Sequence, residues 1–361
     1  MFPYFKVFID NQSFMNILWY TDEQKHGFRR NGQIGEGLVS FCELDLTALE
    51  DKLKELAGIP LTSSNYDTIR NGIIDAAELL KDKHEYAFFF LVGALNNILA
   101  TPVYFQDDIE ARRLEHLQSC FAILEDVLTL QAIFEYALHF CLDKDNLSGY
   151  STAERMVGFY FRFPDLSKFT VQTGFAVVPV KKGALDYEKV AEINRKKITD
   201  TRQTLEAIHD DRSEVSLLPY YHIQALDEML FLEFMEMLKR GIQVIRCRLC
   251  GRYFVLIDKR RREYCGREYE NGKSCREIGP LLGYEQRLEA DVYLQKFETE
   301  YNKIYSRFYR ADGKLDSERS GRDMTQEEFR AWSRAASQAK ADYQKRLITG
   351  EEMLSIVLVG T

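Results

Sequence analysis

Proline is scarce in this chain, seven residues in 361, set against 24 Phe and 20 Tyr. That balance argues for packed regular structure rather than linkers, and no repeat or low-complexity tract is present. Long apolar runs are also missing. The most apolar window, residues 86–95, is followed by Asn96 and Asn97 and is too short to span a bilayer, so it is expected as a buried helix. The opening stretch, MFPYFKVFIDNQ, carries Asp10 and lacks an apolar core of signal-peptide length. We therefore expect a cytoplasmic protein with no membrane span.

Catalytic signatures are missing too. There is no phosphate loop of Walker type, no dinucleotide fingerprint, no G-x-S-x-G and no H-E-x-x-H; the glycines of GQIGEG at 32–37 follow no strong strand signal. The carboxylates of LDEMLFLEFMEML, Asp227, Glu228, Glu233 and Glu236, fall on several faces of a helix and are expected to be its solvated side. His209, Asp210 and Asp211 have no basic or nucleophilic neighbour and are expected to end a helix.

What remains is an ordinary globular composition, 45% hydrophobic and 29% charged, with an odd count of seven cysteines. In a reducing compartment these are not expected to pair as disulfides. Cys42, Cys120 and Cys141 each stand among apolar neighbours and are expected to pack as small buried hydrophobes.

The other four cysteines are different. Cys247 and Cys250 form C-x2-C, Cys265 follows after fourteen residues and Cys275 after nine more. A tetrahedral zinc takes thiolates in pairs, and C-x2-C presents two sulfurs from one tight turn, which Gly251 would help to close. Asn271-Gly272 supplies a turn before the fourth cysteine. No His lies in this segment, so a mixed site would need a distant ligand such as His222. The expected cofactor is a structural Zn2+ held by Cys247, Cys250, Cys265 and Cys275.

Charge follows the same division. The net charge of the chain is -8, yet residues 239–276 carry twelve Lys or Arg against four acids, a net of +8. Residues 277–361 come to -2, which leaves -14 on residues 1–238. Four thiolates around Zn2+ leave about -2, which a few cations offset. The run Lys259, Arg260, Arg261 and Arg262 exceeds that need, and with Arg267 it is the expected contact with nucleic-acid phosphates.

The order C-x-x-C-G-x-x-F with Phe254, then Asp258, Arg261, Arg262, Tyr264 and Cys265, then a fourth cysteine followed by Arg276, resembles the CGNR-type zinc finger of bacterial regulators. The helix before the finger, GRYF, KSCREIG and EEFRAWSRAA resemble an uncharacterised bacterial family of unknown function numbered 6076, found mainly in Firmicutes, over much of 220–350. The first resemblance implies DNA binding with a structural zinc. Cys275 is followed by Arg-Glu-Ile-Gly where that type has Gly-Asn-Arg, so the DNA-contacting box does not carry over.

The coarse pattern is mainly helical. Residues 1–10 alternate as a strand; helices are expected over 46–56, 65–80 and 107–141, the last with Leu114, Leu117, Phe121, Leu124 and Leu128 as a core stripe. Ser151-x-x-Glu154 opens a helix that ends before Pro164, 169–177 alternates as a strand with Pro179 at its edge or end, and 186–209 is an exposed, charged helix. A helix over 219–240, with Pro219 in its first turn and Gly241 past its end, leads into Cys247. After the finger, 284–309 is expected as one helix whose aromatics are core, and Thr325-x-x-Glu328 and Thr349-x-x-Glu352 start the last two. The fold class expected is mainly α: an acidic helical N-terminal domain with a minor β element, 1–215, and a C-terminal module, 216–361, built around a four-cysteine finger at 246–279. The function expected is non-enzymatic nucleic-acid binding, to DNA or RNA, by a regulator or mobile-element accessory whose acidic domain takes an unknown protein or ligand. The alternatives are a protein-interaction scaffold with purely structural zinc, and a nuclease whose catalytic residues the sequence does not name.

Overall fold

The computed structural model describes residues 4–20, 30–81, 83–100, 109–164, 170–181, 184–186, 188–189, 202–203, 206, 214–256, 262–311 and 323–359. The expected mainly helical class is found, with eleven α-helices among these residues and a minor sheet. The chain divides into two compact units: residues 1–247 with 251–263, and 248–250 with 264–361.

The first unit holds a six-stranded sheet in which all pairings are antiparallel, ordered β3-β2-β1-β6-β4-β5. Its strands are β1 (Tyr4–Ile9), β2 (Phe14–Tyr20), β3 (Arg30–Gln33), β4 (Gln172–Lys181), β5 (Ala184–Leu185) and β6 (Glu214–Ile223). Side chains alternate between faces along a strand. Phe5, Val7, Met15 and Ile17 join the main core, while Phe8 and Leu18 face the other way onto Val178, Val180 and Leu185.

Seven helices belong to this unit: α1 (Glu36–Cys42), α2 (Thr47–Ala57), α3 (Tyr66–Glu78), α4 (Glu85–Ala100), α5 (Ile109–Ala137), α6 (Thr152–Arg162) and α7 (Leu226–Arg240). The apolar window at 86–95 lies within α4, with Tyr86, Phe90, Leu91 and Leu95 buried. The run Ala111–Leu142 is long and apolar enough by composition to cross a membrane. Here Leu117, Cys120, Leu124, Phe134 and Leu138 enter the core while Glu115, Glu125 and Asp126 stay exposed. Cys42, Cys120 and Cys141 are all buried, and burial pushes their thiols up, Cys120 to about 11 and Cys141 to about 12. They stay protonated and pack as hydrophobes, as expected.

Two expectations around α7 are corrected. Pro219 is not in a helix: it pairs with Phe175 of β4, and the helix begins at Leu226. Among the described residues β6 pairs over 214–220 with β4 alone, since β1 reaches only Tyr221, His222 and Ile223, so Pro219 stands at a local edge, where a proline is tolerated. Nor are the carboxylates of α7 all solvated, because Glu233 and Glu236 are buried. Burial pushes Glu236 up, but hydrogen bonds from Arg240, Lys239 and Tyr221 outweigh it and hold the carboxyl below its usual range. Arg240 in turn donates to Asp10 O and Ser13 Oγ in the β1–β2 turn.

In the second unit the helix expected over 284–309 is two, α8 (Cys275–Ala290) and α9 (Val292–Ala311). Asp291 parts them, its Oδ1 accepting the N–H groups of Tyr293 and Leu294. Then come α10 (Gln326–Gln344) and α11 (Gly350–Leu358), each opened by the capping box that the sequence signals at Thr325 and Thr349. Phe297 and Phe308 of α9 are core, with Phe308 stacked on Phe329 at 3.9 Å and the Trp332 indole donating to Val357 O. Most of the helix expected over 186–209, the trio His209, Asp210 and Asp211, residue 169 and Asp258 lie outside the described residues.

Candidate metal centre

The finger is built from two short hairpins. The first joins β7 (Val244–Arg246) to β8 (Tyr253–Val255), and its turn carries Cys247 and Cys250. Gly251 adopts φ 73°, which closes the turn without the penalty a Cβ would bring. Its N–H donates to Cys247 O at 2.8 Å, and the Cys247 N–H donates to Arg252 O at 2.9 Å.

Tyr253 anchors the strands of this hairpin within the first unit. Its N–H donates to Glu43 Oε1 at 2.7 Å and its hydroxyl donates to Asp143 Oδ2 at 2.9 Å, with His139 Nδ1 3.0 Å from the Tyr253 hydroxyl. Burial, then the hydrogen bond to Asp143, pushes the phenol up to about 12. Arg246 lies over the Tyr253 ring at 4.2 Å and donates to Gly251 O, so the knuckle is braced from both sides.

The second hairpin joins β9 (Glu268–Glu270) to β10 (Lys273–Ser274) through Asn271 and Gly272, both with positive φ, the turn that Asn-Gly signals. Ser274 and Glu277 form a capping box, so Cys275 is the first residue of α8. That position favours a thiolate, because the helix N-terminus is electropositive. The Cys275 N–H donates to Arg267 O at 2.9 Å, which ties the helix start to the strand after Cys265. Tyr264 lies against α8: a methyl added at Gly279 would fall on its ring, and one added at Gly283 on its hydroxyl.

Together these elements bring the sulfurs of Cys247, Cys250, Cys265 and Cys275 within 4.8 Å of one another. Cys250 and Cys265 are 3.7 Å apart, too far for a disulfide and close to the edge, about 3.8 Å, of a tetrahedron of sulfurs about 2.3 Å from a central ion. Cys247, Cys265 and Cys275 are buried and Cys250 is half-buried. The donor set fits a structural metal ion: four sulfurs, with no further ligand grouped with them among the described residues. His222, the distant alternative, lies on β6 stacked on Tyr4 at 4.7 Å.

Of the expected phosphate contacts, Lys259, Arg260 and Arg261 lie outside the described residues, while Arg262 and Arg267 are half-buried. Arg246, Arg248, Arg252, Lys273 and Arg276 are exposed. Sequence reasoning names Tyr264 only as the aromatic before Cys265 and misses its packing on Gly279 and Gly283, and it misses Tyr253 with Asp143 and Glu43. The G-x3-G spacing of Gly279 and Gly283, one helical turn apart, was a usable sign of close approach.

Residues 196–355, a stretch that includes the whole finger, match the model of a family described as a family of unknown function (DUF6076). No curated protein and no solved structure matches the chain.

Proposed function

We propose that this chain is a zinc-stabilised, non-enzymatic nucleic-acid-binding protein, in keeping with a bacterial regulator or mobile-element accessory, whose finger meets the phosphate backbone of DNA or RNA. One observation carries the reading: a four-sulfur cluster stands in a segment of net charge +8 whose described cations Arg246, Arg248, Arg252, Lys273 and Arg276 remain exposed. A tetrathiolate zinc carries about -2, so two cations suffice to neutralise it. The surplus is the electrostatic footprint of a polyanion partner.

The test is binding of the zinc-loaded protein to duplex DNA and to RNA by fluorescence anisotropy across a salt series. The comparison variant changes Lys259, Arg260, Arg261 and Arg262 to Ala. Three or four phosphate contacts give a slope of log K against log salt of about -3, at roughly -0.9 per phosphate, and the variant flattens it. No binding of either nucleic acid at low salt contradicts the reading.

A second reading, an interaction scaffold with purely structural zinc, has one observation in its favour. Arg252 comes within 3.9 Å of Glu43, and the Tyr253 N–H is held by that same carboxylate, so part of the basic segment is committed to the acidic body. On that reading the charge serves internal pairing, and the alanine variant loses stability rather than affinity. The nuclease alternative gains nothing from α7, where Glu236 is engaged by Arg240, Lys239 and Tyr221 and Glu233 holds backbone N–H groups.

A further inference from the structure

The first unit contains a cleft of about 370 Å³ bounded by α4, α5 and the start of α7, within the size range of small-molecule sites. Phe90, Leu91, Val127, Leu130 and Leu226 give it apolar walls, and two carboxylates, Asp126 from α5 and Asp227 from α7, line it as well. No Lys, Arg or His is among the described lining residues, and neither carboxylate forms a salt bridge among the described residues.

This pairing is unfavourable as it stands. Burial pushes the Asp227 carboxyl above its usual range; backbone N–H groups at the helix start pull against it, and the charge of Asp126 adds a smaller push upward. An acid that only complemented the helix dipole would do so equally well in water, without the cost of burial beside a like charge. The walls favour an apolar body, the two acids favour a cation, and an anion is repelled.

We infer that this cleft binds a small organic cation with an apolar body, its walls taking the apolar part and Asp126 and Asp227 receiving the charge. Nothing in the nucleic-acid reading uses the cleft, so the two can be tested separately.

The experiment compares 4-phenylbutylamine with the neutral 4-phenylbutanol by isothermal titration calorimetry on the full chain at neutral pH. The expected result is saturable one-to-one binding of the amine, with the alcohol at least tenfold weaker. The double variant Asp126→Asn with Asp227→Asn lowers the amine to the level of the alcohol and leaves the alcohol unchanged, and Ala94→Trp, which fills the cleft, removes both. Equal binding of the two compounds, amine binding that survives the double variant, or no saturable binding of either by the folded protein overturns the inference. Far-UV circular dichroism checks folding, and the single Asp126→Asn, at an exposed position, keeps the test decisive if the double variant unfolds.

Discussion

The carboxylate of Glu233 accepts the backbone N–H of Leu38 at 2.9 Å, across 195 positions of sequence, and with the same oxygen that of Gly35. It thereby caps α1, whose own N-cap residue Gly35 is left-handed and offers no side chain. Replacing Glu233 with Leu strands two buried donors, and a loss of about 3 kcal/mol in urea unfolding is expected. Glu50→Ala, on an exposed helix face, is expected to cost less than about 0.5 kcal/mol. Equal effects of the two changes would show that the buried carboxylate is dispensable.

A ligand thiol and a packing thiol have different consequences. Cys265→Ser is expected to lower bound metal below one ion per chain and to speed amide hydrogen exchange through the finger and α8, because metal binding free energy is folding free energy in such modules. Cys42→Ala removes a buried thiol from the main core and is expected to leave metal content unchanged. Metal analysis with exchange mass spectrometry reads both, and full metal content in the Cys265 variant would remove that residue from the site.

Residues acting through neighbours in sequence were the legible part of this fold. The capping boxes at Ser151, Thr325 and Thr349 need only four residues each, and all three open helices. The four cysteines converge as their spacing implies. What sequence did not disclose depends on distant chain. Strand β2 shows no alternation because Met15, Asn16, Ile17 and Leu18 are all buried, a pattern of sheets covered on both faces. Pro219 read as a helix start because nothing local reveals that its partner is Phe175. Glu233 and Glu236 read as solvated because charge on a helix usually is, and their partners lie on α1, β6 and α7 itself. On α5, Leu117 and Leu124 of the sequence stripe are buried, but Cys120 and Val127, rather than Phe121 and Leu128, complete the buried face.

Tyr253→Phe removes the hydroxyl that Asp143 and His139 share and is expected to cost about 1 to 2 kcal/mol. The pH dependence is set by the upward shift of the phenol from 10.0 to about 12. A group whose pKa is raised on folding contributes its full stability below its unfolded value and loses it as pH rises through the folded one. The difference between wild type and variant is therefore expected to be constant below about pH 10 and to shrink between pH 10 and 12, as followed by urea unfolding at stepped pH. A difference that grew across that window would refute the assignment.

Gly279→Ala places a methyl on the Tyr264 ring, one residue from the Cys265 ligand. Overpacking of this kind is expected to cost about 1 to 3 kcal/mol and to weaken metal binding in a competition titration with a chelator. Tyr264→Ala in the same chain is expected to recover part of the metal affinity by making room. An unaltered affinity in the single variant would mean that the Tyr264 ring does not position the third cysteine.

A closed four-thiolate metal site has a distinct ligand shell, which X-ray absorption at the zinc edge of the zinc-loaded protein reads. One zinc per chain is expected, with four sulfur neighbours at about 2.3 Å and no lighter ligand. A shell with nitrogen or oxygen at about 2.0 to 2.1 Å, or fewer than four sulfurs, would contradict it.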